Sequence, residues 1–287
     1  MKYLSLIFLV LIGFNLFVFS SIYGAKHRND KLDIYFLDVG QGDGALIKLP
    51  GGAKVMMDGG PGKQTLVSLY NALPATDRYI DLLILSHPQL DHFGGFIDIL
   101  KRFKVGAFIY TGRDGASAAW QTLKDILKEQ NIKTIVLKEG DSIMQGESII
   151  KFLSPNSQFL SSKELNNTTL VAVLESEGSK TLFTADIGYK DMNAEGYLIK
   201  NHSEEIDADI LKIAHHGSKY SSSEQFIRVV SPKVSVVSAG EKNRYGHPTK
   251  EAIAVVSAAD SSLYRTDTDG TIHVNIDGGL IKIYKNK

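Results

Sequence analysis

At 287 residues, 43% hydrophobic and 22% charged, the chain has enough apolar material for a sizeable globular core. Its formal net charge of zero excludes a global basic field for holding nucleic acid, though not a local basic groove. The absence of cysteine excludes a disulfide framework, a thiolate metal site and a cysteine nucleophile, and it suits a chain working outside the cytoplasm.

Lys2 precedes an apolar run from Tyr3 to Tyr23, interrupted only by Ser5, Gly13, Asn15, Ser20 and Ser21. A basic start, an apolar stretch and the small residues Gly24 and Ala25 describe a secretory signal. A run of about twenty residues is also long enough to span a bilayer. Segment 1–25 is therefore expected to export the chain, either cleaved or kept as an anchor. Residues 26–31 read as a polar linker and 32–287 as one domain.

From Leu32 onward, short strands alternate with amphipathic helices. Runs rich in branched and aromatic residues predict strands at Leu32–Leu37, Ala45–Leu49, Lys54–Met57, Asp81–Leu85, Ala107–Tyr110 and Lys133–Leu137. Helical spacing predicts helices at Thr65–Ala72, His92–Phe103 and Ala118–Gln130. The second half repeats the scheme, with strands at Leu170–Leu174, Thr181–Thr184, Ile210–Ala214 and Val234–Val237 and helices at Ser222–Val230 and Lys250–Ala259. Ile272–Ile276 and Leu280–Tyr284 flank Asp277-Gly-Gly279, a hairpin signal. Periodicity alone defines a mixed α/β domain.

The most informative stretch is Asp81-Leu-Leu-Ile-Leu-Ser-His-Pro-Gln-Leu-Asp-His-Phe-Gly-Gly95. A strand-length apolar run ends at Ser86, and His87, Asp91 and His92 follow within six residues. Imidazoles and a carboxylate delivered together after a strand form a divalent-metal ligand set. Two further strand-like runs end in the same chemistry, at Asp186 and at His215-His216. Gly94 and Gly95 sit in a helical first turn where propensity disfavours them, which is explained if that helix packs tightly on the site loop.

These motifs, with Phe36-Leu-Asp-Val-Gly-Gln-Gly-Asp43, Val55-Met-Met-Asp-Gly-Gly60, Asn166-Asn-Thr-Thr-Leu170, Arg244-Tyr-Gly-His-Pro248 and Thr266-Asp-Thr-Asp-Gly270, resemble the metallo-β-lactamase superfamily. More narrowly, the chain is similar to the hydrolase domain of ComEC-type competence membrane proteins and their free-standing relatives. The resemblance runs from about Leu32 to the C-terminus. It implies a four-layer αββα sandwich and a divalent cofactor, Zn or Mn. In that family's signature His-x-His-x-Asp-His, the second histidine corresponds to Gln89 here, and the next ligand histidine falls near Asn166-Asn167. Amides are weaker ligands than imidazoles. The resemblance thus implies one tight metal, held by Asp91, His92, Asp186 and either His215 or His216. A second, held by His87, Asp186 and the amides, is expected to be weak or absent. Asp58 matches an early aspartate that orients ligands from behind, although a plain turn aspartate would suit the same place.

Metal-assisted hydrolysis is the chemistry these parts allow. Asp91 or Asp186 could accept a proton from the attacking water, while His215, Lys219 and His247 could hold an anionic oxygen or protonate the leaving group. The expected substrate is anionic, a DNA or envelope phosphodiester met outside the cytoplasm, with Lys212, Lys219, Lys242, Arg244 and Lys250 near the motifs to attract it. The alternatives are a hydrolase of amides, esters or lactones, and a binding module with a degenerate metal site. The N-terminal segment, if uncleaved, makes the membrane a partner.

Overall fold

The computed structural model describes residues 10–19, 31–190 and 192–287. Residues 10–19 are helical (α1), and most of the expected export segment and linker lie outside the described residues. Among the described residues no helix is long and apolar enough to cross a membrane.

The folded unit opens with β1 (Leu32–Phe36), β2 (Gly44–Lys48) and β3 (Lys54–Gly59), then α2 (Lys63–Ala72) and β4 (Tyr79–Ile84). After these come α3 (Leu90–Leu100), β5 (Lys104–Tyr110), α4 (Ala118–Glu129) and β6 (Lys133–Val136). A second series follows: β7 (Ser142–Gln145), β8 (Ser148–Ser154), α5 (Ser157–Leu160), β9 (Val171–Ser176) and β10 (Ser179–Phe183). Next are α6 (Ala194–Asn201), α7 (Ser203–Ile206), β11 (Ile210–Lys212), α8 (Glu224–Val230) and β12 (Val234–Val237). The chain closes with α9 (Lys250–Ala258), β13 (Ser262–Arg265), α10 (Thr266–Asp269), β14 (Ile272–Asp277) and β15 (Leu280–Lys285).

Two sheets result, one of eight strands in the order β15-β14-β1-β2-β3-β4-β5-β6 and one of seven in the order β13-β12-β11-β10-β9-β8-β7. Strand alternation explains how they stack. In β1, Leu32, Ile34 and Phe36 enter the core between the sheets with Met57, Phe152 and Phe183. On the opposite faces, Leu46, Met56 and Phe108 pack beneath Phe93, Phe96 and Trp120 from α3 and α4. The second sheet buries Val171, Val173 and Leu182 under Phe226 and Val230 of α8 and Val256 of α9. Two helical layers therefore enclose two sheets, the expected αββα sandwich.

Several elements escaped the sequence pattern. The hairpin β7–β8 pairs antiparallel across Gly146 and Glu147, yet β7 is a largely exposed edge with one half-buried residue, Ile143. Helix α6 has only Leu198 a turn beyond Ala194, and the Asn193 side chain supplies its start by accepting from Gly196 N. The edge strand β13 is held by parallel pairing with β12 and has no fully buried residue. Such elements owe their shape to neighbours, not to a strong pattern of their own. The hairpin at Gly278-Gly279 formed as expected, both residues adopting positive φ.

The site edge is built by close backbone approach. A Cβ on Gly95 would lie 2.0 Å from Gly59 O, and one on Gly94 would lie 2.2 Å from Pro61 O, so α3 is pressed against the loop after β3. Gly42 plays the same part, since a Cβ there would meet Asp91 O at 2.2 Å.

Deletion of residues 1–25 is expected to leave the sandwich folded, because among the described residues its core clusters and strand pairing begin at Leu32. An unchanged thermal transition would bear this out, whereas aggregation of the truncated form alone would move the domain boundary toward the N-terminus.

Candidate metal centre

The C-terminal ends of β3, β4, β10 and β11, with the start of α3, deliver the polar residues to one edge. Asp58 follows Met57 in β3 in a left-handed conformation, φ 57°, with its carboxylate buried. It accepts hydrogen bonds from Ser86 N at 2.7 Å and Ser86 Oγ at 2.7 Å. The same carboxylate lies 2.9 Å from His92 Nδ1. With Nδ1–H donated to Asp58, Nε2 of His92 faces the site. Since the Ser86 hydroxyl donates to Asp58, it is free to accept from His87 Nδ1, 3.0 Å away. That leaves His87 Nε2 unprotonated. Asp58 is thus more than a turn residue.

Asp186 completes a ring of groups. Its Oδ2 lies 3.4 Å from His92 Nε2, 3.5 Å from His216 Nε2 and 3.7 Å from His215 Nε2. His216 Nε2 is also 3.5 Å from Asp91 Oδ2. His87, His92 and Asp186 offer ligand atoms within 4.8 Å of one another, as do Asp91, His92 and His216. The backbones of Ala185, His215 and His216 are all left-handed, strain that the packed loops hold in place. Both histidines of the pair approach Asp186, but His216 is buried and touches Asp91, whereas the His215 side chain is 35% exposed.

The fit to a cation rests on what these atoms lack. His87 Nε2, His92 Nε2, His216 Nε2 and Asp186 Oδ1 are buried without a hydrogen-bond partner. Each such orphan costs roughly 1–3 kcal/mol. Set in overlapping groups that share His92 and Asp186, such atoms suit a divalent ion, with imidazole and carboxylate the donors that Zn and Mn accept.

Electrostatics agree. Burial alone would raise Asp186, but His216 and His92 outweigh it and hold the carboxyl well below the usual range. Burial and then the neighbouring His92 push His87 down to about 3, so its ring is neutral and ready to ligate. Burial opposes a charge on His92, yet Asp186 and Asp58 raise it well above an ordinary imidazole, so without a cation its Nε2 holds a proton that a bound ion would displace.

The remaining expected residues are placed as follows. Gln89, preceding α3, donates through Nε2 to Asn166 Oδ1 at 2.6 Å, so the two amides are joined to each other. Asn167 donates through Nδ2 to Ser162 Oγ at 3.0 Å. The His247 ring lies 5.9 Å from His215 and is stacked 5.8 Å from Tyr245. Burial, then the charges on His216 and His215, push His247 down to about 4, so it is neutral at pH 7. Lys219 is exposed, its Nζ 5.2 Å from the Tyr220 ring. One expectation needs correction. Lys212 is buried at 4% exposure and paired with Asp43, so it is not free to meet an incoming anion. Asp43 itself went unrecognised, although it ends the motif that begins at Phe36; only its meeting with Lys212 and His216 singles it out.

The family model for the metallo-beta-lactamase superfamily matches residues 37–241. ComE operon protein 3 of Bacillus subtilis is 29% identical over 259 residues, covering 84% of this chain and 32% of its own length. Competence protein ComA of Neisseria gonorrhoeae is 28% identical over 252 residues, covering 85% of this chain and 32% of its own. The chain thus spans about a third of the length of these relatives. Among solved structures, the metallo-beta-lactamase fold protein YhfI from Bacillus subtilis superposes with a TM-score of 0.57 at 16% identity, over 89% of this chain and all of its own.

Proposed function

The chain belongs to the metallo-beta-lactamase superfamily of metal-dependent hydrolases, and from that premise we propose that it is a phosphodiesterase acting outside the cytoplasm on DNA or an envelope phosphodiester. The observation that carries this reading is the set of buried, unpartnered ligand atoms on His87, His92, Asp186 and His216, which fall in overlapping groups at one sheet edge. We take Asp91, His92, Asp186 and His216 as the tight ligand set and His87 with the Gln89–Asn166 amides as the weak one. A divalent ion held there would lower the pKa of its water and polarise a phosphoryl oxygen.

The protein's own groups divide the remaining work. Asp91 is more open than Asp43, Asp58 and Asp186 at this site, its side chain 33% exposed. Burial raises its pKa, but His216 and His92 more than compensate, so it is ionised and able to accept a proton from the attacking water. His215, on the open side of the ring, is placed to donate to the leaving oxygen. His247 is neutral and can orient that oxygen by hydrogen bonding. A phosphodiester is favoured over a neutral amide by the exposed cations on the surrounding loops, Lys190, Lys219 and Arg244. Lys190 Nζ lies 3.5 Å from the Tyr220 ring centre and the Arg244 guanidinium 5.1 Å from that of Tyr245. Rings already faced by cations make a poor cage for a quaternary ammonium group and a better seat for a flat base beside a phosphate.

Metal content, then hydrolysis of bis(p-nitrophenyl) phosphate and nitrocefin side by side, tests this. Turnover of the phosphodiester alone is expected. Turnover of nitrocefin alone would favour an amide or lactone hydrolase, and no metal with no turnover would mean a binding module. Lys219→Ala is expected to leave metal content unchanged and to raise KM for anionic substrates by roughly a few-fold at low salt, converging with wild type at high salt as charges are screened. No change at any ionic strength would reduce Lys219 to a plain surface residue.

A further inference from the structure

Behind the ligand ring lies a second layer that no substrate can reach. Asp43, in the loop between β1 and β2, is 5% exposed, and Lys212, the last residue of β11, is 4% exposed. The Lys212 ammonium donates to Asp43 Oδ2, and Asp43 is its only ion-pair partner among the described residues. The other carboxylate oxygen, Oδ1, faces His216 Nδ1 across 3.1 Å as an ion partner, without a hydrogen bond of its own. The hydrogen bond of that nitrogen goes to the Ser238 carbonyl, 3.0 Å away. The backbone of residue 43 is held at both ends, since Asp43 N donates to Asp91 O at 3.1 Å and Asp43 O accepts from Gly60 N at 2.6 Å. Both side chains border a small cavity of about 10 Å³, walled by Phe36, Met57, Leu170 and Phe183. Such a void holds at most one water.

A buried ion pair is weak evidence for stability, because desolvating both charges offsets most of their attraction. Its place explains it better. Residues hydrogen-bonded to the far nitrogen of a ligating imidazole fix its tautomer and raise its basicity. Asp43 also offers an oxygen within 4.8 Å of Asp186 and His216 ligand atoms, so without a partner it could compete as a ligand. Lys212 removes that choice by holding one oxygen and keeping the carboxyl ionised.

We propose that the Asp43–Lys212 pair is a positioning device that, beside the Ser238 carbonyl, holds the His216 ring with Nε2 turned to the metal. The inference rests on the metal centre proposed above and adds to it two residues that touch neither metal nor substrate. It also gives the otherwise costly burial of Lys212 a reason.

Cobalt(II) is the probe. The full chain, Asp43→Asn and the charge-neutral double variant Asp43→Asn/Lys212→Met are titrated with Co²⁺, following affinity and the d–d absorption bands, and their metal-free thermal transitions are compared. The double variant is expected to melt near wild type, because both charges leave together. Its Co²⁺ affinity should nonetheless fall by about 10–100-fold, with displaced d–d bands. Wild-type affinity and bands in the folded double variant would make the pair merely structural and overturn the proposal. Should both variants fail to fold, Lys212→Arg, which keeps the charge but changes the grip on Asp43, is titrated in their place. Displaced d–d bands with a wild-type melt support the proposal, and wild-type bands and affinity overturn it. Failure of wild type to bind Co²⁺ at all would instead sink the metal centre, and this inference with it.

Discussion

Asp186→Asn is expected to lower both metal affinity and kcat/KM by at least about 100-fold, more than loss of a supporting residue behind a ligand would cost. Asp186 is 2% exposed and stands within 3.4 to 3.7 Å of three imidazole nitrogens, from His92, His215 and His216. The amide is nearly isosteric but neutral. It removes the negative charge that His92 and His216 face and can turn an N–H toward nitrogens that should be presenting lone pairs. Metal content after dialysis, Co²⁺ titration and phosphodiester turnover measure the loss. A retained thermal transition in the metal-free state would show that the damage is local. Full metal content together with full turnover would remove Asp186 from the site, and the proposed centre would fall with it.

Purified protein is expected to carry close to one tightly bound Zn²⁺ or Mn²⁺ per chain, and Gln89→His to raise that toward two. The reason lies in the pairing of Gln89 Nε2 with Asn166 Oδ1 at 2.6 Å. On the side of His87, two neutral amides bonded to each other stand where imidazoles would be needed, and a carbonyl oxygen binds such metals weakly. His87 is still poised, neutral and with a buried unpartnered Nε2, so one added imidazole has something to join. Stoichiometry by elemental analysis before and after prolonged chelation reads the outcome. Two ions resisting chelation in wild type would show that the amides do not weaken the site, and the division into a tight and a weak position would be wrong.

His87, Asp91, His92 and Asp186 were legible because each ends or follows an apolar run of strand length, and a residue just past a buried strand has few places to go except the sheet edge. Gly94 and Gly95 were legible for a similar reason: glycines where a helix does not want them predict a close approach, and the contacts with Pro61 and Gly59 supply it. The edge strands β7 and β13 were not, since a strand at the rim buries too little to leave a period in its residues.

By itself, then, the amino-acid sequence determined a mixed α/β domain and the residue types offered at its strand ends, both of which depend on short-range periodicity and on residue type, while the layered sandwich was legible only through the family resemblance. Only the tertiary structure set His215 and His216 in different surroundings. The two are adjacent, so spacing cannot separate them; left-handed backbone at both turns one inward against Asp91 and Asp186 and leaves the other half open. The fate of Lys212 was decided at the same level. In the sequence it is one of several basic residues near a motif, and its partner Asp43 is 169 positions away. Whether a lysine attracts a substrate or serves a buried carboxylate depends on which groups the packed sheets bring within reach, and no local pattern carries that information.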